Sequence, residues 1–83
     1  MTIFYFAWVR QKVGIAGEHF PLPAHVKTIA ELIEFLCLRG GGYAAAFNDP
    51  GRLCAAVNQK YASFETGLTG EDEVAFFPPV TGG

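Results

Sequence analysis

Apolar and polar residues alternate along this chain with two different periods, and the change of period marks out its elements. Ile3 to Val9 is dense in aromatic and β-branched side chains and predicts a strand. Ile3, Tyr5 and Ala7 would lie on one face and Phe4, Phe6 and Trp8 on the other, so both faces want cover, one of them from a partner. Arg10 to Gly14 breaks the apolar run, with turns at Gly14 and Gly17. His19 to Pro23 predicts a short second strand ended by proline. The period then changes: Ile29, Leu32, Ile33 and Leu36 form an i, i+3, i+4, i+7 stripe. Thr28 and Glu31 make a capping box before it, Arg39 suits the last turn, and Gly40-Gly41-Gly42 stops the helix.

Tyr43 to Phe47 allows a short second helix, closed by the turn Asn48-Asp49-Pro50-Gly51. Leu53–Asn58 predicts a third strand, Tyr61–Phe64 a short fourth, and Glu73–Phe77 a fifth with Val74 inward and Phe77 outward. This order predicts an α+β domain, with a mixed sheet of about five strands and one main helix on one face. The β-grasp, or ubiquitin-like, fold has this succession. The domain is expected over residues 1–78, followed by a flexible tail over residues 79–83.

With 83 residues there is room for one modest core and no second lobe. Six basic against eight acidic residues give no surplus of positive charge for nucleic acid. No apolar run is long enough for a membrane span, and Met1 leads into a strand-like segment without a basic leader. Cys37 and Cys54 stand far apart among apolar neighbours and are expected as reduced, buried thiols, which suits a cytoplasmic setting. His19 and His25 lack companion ligands at metal spacing, so no metal is expected. Gly40-Gly41-Gly42 lacks the Lys-Ser/Thr ending of a phosphate loop, Gly14 to Gly17 is a turn, and Glu71-Asp72-Glu73 is expected to be a solvated charge run.

The end of the sequence carries the candidate chemistry. Pro78-Pro79 cannot donate to a ladder, so the strand must stop there and the chain leave extended. The five residues from Pro79 to Gly83 reach roughly 17 Å at ~3.3–3.6 Å each. Gly82 and Gly83 add the least bulk, so such a tail can thread a narrow channel and present its carboxylate there.

The run Asp72 to Gly83, Asp72-Glu73-Val74-Ala75-Phe76-Phe77-Pro78-Pro79-Val80-Thr81-Gly82-Gly83, resembles the C-terminal signature of the small subunits of molybdopterin synthase. Ala55-Ala56-Val57-Asn58-Gln59, and Phe6-Ala7 with Arg10, are similar to that family's earlier strands. The turn Gly70-Glu71-Asp72 departs from it, since the family usually has glycine directly before the aspartate. The resemblance implies a sulfur carrier with no bound cofactor. An ATP-dependent activating enzyme would adenylate Gly83, and a sulfur donor would convert it to a thiocarboxylate. That sulfur would pass to cyclic pyranopterin monophosphate on a large synthase subunit, in a heterotetramer of two small and two large subunits. Phe6, Tyr61 and Phe77 are the implied apolar anchors, Arg10 an ionic one, and Pro78, Pro79, Val80 and Thr81 the path of the tail. A thiamine-pathway carrier, a modifier conjugated to lysines and a plain β-grasp interaction module are the competing readings. The thiamine carriers are usually shorter and lack the Phe-Phe-Pro-Pro-Val run.

Overall fold

The computed structural model describes residues 1–79. Its elements are β1 (Thr2–Tyr5), α1 (Ala7–Val13), β2 (Gly17–His19), α2 (Ile29–Cys37), α3 (Gly41–Phe47), a 3-10 turn (Pro50–Arg52), β3 (Cys54–Val57), β4 (Lys60–Ala62) and β5 (Glu73–Phe77). The sheet order is β2-β1-β5-β3-β4. β1 and β5 run parallel, and every other pairing is antiparallel. With the helices packed on one face, this is the expected β-grasp arrangement.

Alternation in the strands sends one set of side chains into a single core. Ile3 and Tyr5 of β1, Ala55 of β3, and Val74 and Phe76 of β5 are buried against Ile29, Leu32, Ile33 and Leu36 of α2. Phe47 closes the core from α3, edge-on to Tyr5 at 6.1 Å and to Phe76 at 5.0 Å between ring centroids. Each of the larger apolar side chains in this core stabilises the fold by about 1.5–3 kcal/mol through removal from water.

The first strand is shorter than expected. It ends at Tyr5, and Phe6, extended at φ −124° and ψ 154°, caps a helix that the alternation had hidden. Val9 and Val13 are four apart and face inward, while Arg10, Gln11 and Lys12 share the solvent side. A continued strand would have driven alternate polar residues into the core, which a helix avoids. The second strand also lies earlier than expected, over Gly17–His19.

α2 begins where expected: Thr28 Oγ1 accepts from the Glu31 N–H at 3.2 Å. The reciprocal bond differs from the simple box, since Glu31 Oε1 accepts from the N–H of Lys27 at 3.0 Å. The glycines after α2 do more than stop it. Gly40 and Gly41 take φ of 77° and 53°, and a Cβ on Gly42 would collide with the carbonyl oxygen of Lys12. α3 and α1 therefore pack backbone to backbone at that point.

Candidate functional site: the open sheet face and the exit of β5

Among the described residues, nothing covers the side of the sheet away from the helices. β5 is the divider, for Val74 and Phe76 face the core while Ala75 and Phe77 face outward. Register then sets their neighbours: Ala75 lies beside Phe4 and Ala56, Phe77 beside Cys54, and Ala56 beside Tyr61. Phe6 is 50% exposed and Tyr61 80%, and the Tyr61 ring meets Phe77 edge-on at 5.7 Å. Between the rings runs an apolar groove of about 270 Å³ lined by Phe6, Ala56, Gln59, Tyr61, Ala75 and Phe77. The alanines form a floor low enough for the rings to stand as walls.

The structure places Phe6, Tyr61 and Phe77, the anchors that the resemblance implies, along one groove. Arg10 does not join them: it lies on α1 and lines a separate open cleft with Ala7, Gln11 and Gly14. Four residues of this face were not singled out from sequence. Phe4 extends it, with its ring 6.5 Å from Phe6, and Ala56, Gln59 and Ala75 complete the groove. Strand parity was the available signal, since Phe4 and Phe6, like Ala75 and Phe77, are two residues apart. The cysteines also differ from expectation. Both are only partly buried, and Cys54 points to the open face because its neighbour Ala55 faces the core.

Local chemistry holds the face in shape. The β3–β4 hairpin turns on Asn58 and Gln59, at φ 51° and 70° without a glycine. Asn58 secures the turn by donating from Nδ2 to Asp72 Oδ1 at 3.0 Å and accepting from the Glu73 N–H at 3.0 Å. Asp72 also accepts from the Thr69 N–H at 2.8 Å, so it organises this corner and is not part of a merely solvated run. That backbone donor, with Asn58, holds its carboxyl below the usual aspartate range.

The base of the tail is tied at the opposite end of β5. Phe6 N–H donates to Phe76 O at 3.0 Å, and Phe77 still pairs with Cys54 before Pro78 and Pro79 end the strand. Pro79 is exposed. Val80, Thr81, Gly82 and Gly83 lie outside the described residues. Among the described residues, no three His, Cys, Asp or Glu side chains gather as a metal site, and no helix is long and apolar enough to cross a membrane.

Residues 3–83 match the ThiS family. The chain belongs to that family. It is 43% identical over 83 residues to the molybdopterin synthase sulfur carrier subunit of Escherichia coli, covering 100% of this chain and 99% of that one. The Haemophilus influenzae protein of the same name is 34% identical with the same coverage. Among solved structures, a Pyrococcus furiosus protein described as a candidate molybdopterin converting factor, subunit 1, superposes with a TM-score of 0.68 at 26% identity, covering 95% of each chain. Small archaeal modifier protein 1 of Haloferax volcanii gives 0.66 at 18% identity over 96% of this chain and 97% of that one, a likeness of fold.

Proposed function

We propose that this chain is the sulfur carrier subunit of a molybdopterin synthase and that its working group is the carboxylate of Gly83. The observation that carries this is the full-length likeness to two sulfur carrier subunits, in a chain whose β5 leads from an open apolar face into Pro78-Pro79 and a terminal Gly82-Gly83. The groove between Phe6, Tyr61 and Phe77 docks the large synthase subunit, and the prolines end the ladder where the tail begins. Docking comes first; the tail then acts at the high effective concentration of a tethered reactant.

The carboxylate gains its sulfur in two steps on other proteins. In an activating enzyme, the Gly83 carboxylate attacks the α-phosphorus of ATP and pyrophosphate leaves. Sulfide (HS⁻) supplied by a donor then attacks the acyl carbon, the acyl–phosphate bond breaks so that AMP leaves, and loss of the sulfur's proton leaves a thiocarboxylate. That thiocarboxylate transfers its sulfur to cyclic pyranopterin monophosphate within the large subunit. A dithiolene needs two sulfurs, so two charged carriers are consumed per pterin. Two small and two large subunits form the cytoplasmic assembly, and ATP is used by the activating enzyme without being bound by the carrier itself.

Deletion of Gly83 tests this reading with purified large subunit and precursor. Sulfur transfer is expected to vanish while thermal stability holds, since the buried core of the described residues ends at Phe76. Retained transfer by the truncated chain contradicts it.

A further inference from the structure

Glu18 lies at the centre of the edge strand β2, and its carboxylate joins three other parts of the chain. Tyr5 of β1 donates its hydroxyl to Oε2 at 2.7 Å, and Tyr43 of α3 donates to the same oxygen at 2.6 Å. Arg39, two residues beyond α2, reaches Oε1 through Nη1 at 2.9 Å, the only ion pair among the described residues. Its guanidinium carbon lies 4.7, 5.2 and 5.0 Å from the ring centroids of Phe20, Phe35 and Tyr43. The negative ring faces hold the cation there. Water still reaches the pair, whose side chains are 29% and 19% exposed. None of these residues lines the groove.

An ionised carboxylate only accepts, so it satisfies all three donors at once. Protonated, it must place a hydrogen of its own, and its attraction for the guanidinium is gone. A phenol that loses its proton puts a second anion against the first. We propose that Glu18 is the pin of a charge-dependent latch that fastens the β2 edge to the corner between α2 and α3, closed only while Glu18 is ionised and both phenols are protonated.

The groups facing the pin are Tyr5 from β1, Arg39 from the segment after α2 and Tyr43 from α3. On β2 itself, His19 turns to the opposite face, where its ring bonds Thr2 Oγ1 at 2.9 Å. Burial alone would raise the Glu18 carboxyl, but the two phenols and Arg39 outweigh it and hold it below the ordinary range. Burial and then the Glu18 carboxylate push both phenols above theirs. A lowered carboxyl lends stability that is present above its unfolded pKa and is lost as pH falls through the folded value. A raised phenol lends stability that is present below its unfolded pKa and is lost as pH rises through the folded value. The latch therefore opens at both extremes and holds between them.

The test is a carbon NMR titration of Glu18 with amide hydrogen exchange, on the wild-type chain and on Arg39→Met and Glu18→Gln. In the wild type Glu18 is expected to titrate below about 4.3, the ordinary glutamate value, and to move upward in Arg39→Met. As pH falls from the ordinary glutamate value towards that midpoint, protection of the Gly40, Tyr43 and Ala44 amides falls, by at most about tenfold per pH unit and ahead of the β5 amides, and it levels off below the midpoint. Glu18→Gln removes this acid dependence. An ordinary Glu18 titration in the folded wild type, or corner amides that open only together with β5, overturns the proposal; neither observation relies on a variant folding.

Discussion

Phe76 and Phe77 are the same residue type, adjacent on one strand, yet they serve opposite ends. Phe76 is fully buried beneath Phe47, whereas Phe77 stands on the open face against Tyr61. The two faces of the sheet differ in the same way. On the helix side, every described polar side-chain atom that is buried has a partner, and Glu18 gathers three donors. On the other side, aromatic rings stand over alanines with none of the described residues above them. A core is recognised by completed contacts, and a docking face by large rings whose contacts are left incomplete.

Truncating the two rings separates these roles. Phe76→Ala is expected to cost about 3–5 kcal/mol of folding stability, read by chemical denaturation, because it leaves a cavity under Phe47. A loss below about 1 kcal/mol would show that the β5 end is not part of the packed core. Phe77→Ala is expected to leave the melting temperature nearly unchanged and to weaken binding of the large subunit by about 2 kcal/mol, measured by titration calorimetry. Equal affinity for wild type and variant would remove Phe77 from the interface.

A smaller effect sharpens how the face is held. The Asp72 carboxyl is lowered by the Thr69 N–H and Asn58, so its contribution is present above the ordinary aspartate pKa and lost as pH falls through the lowered value. Asp72→Asn should therefore flatten the acid end of the stability curve and loosen the Asn58–Gln59 turn, seen as faster exchange of the Glu73 amide. An unchanged acid profile would mean that the turn does not depend on that charge.

Much of this was legible from residue order because the signals are local. The Thr28–Glu31 cap and the 3–4 spacing after it announce α2, and a double proline after Glu73–Phe77 announces both the last strand and the exit. The α1 helix was not legible, because Phe6-Ala7-Trp8-Val9 is apolar under either period and only the polar run behind it decides. The latch and the outward turn of Cys54 depend on register between segments far apart in sequence, which no local pattern carries. The groove floor was missed for a related reason: alanines draw attention only once the rings beside them are placed.

The claim that everything else serves is that Gly83 carries the sulfur. Incubating the chain with its activating enzyme, ATP and a sulfur donor, then fragmenting it in a mass spectrometer, reads that residue directly. The account predicts a gain of about 16 Da confined to the C-terminal fragment, oxygen replaced by sulfur in its carboxylate. An unmodified C-terminus, with a gain of about 32 Da on Cys37 or Cys54 as a persulfide, would contradict it.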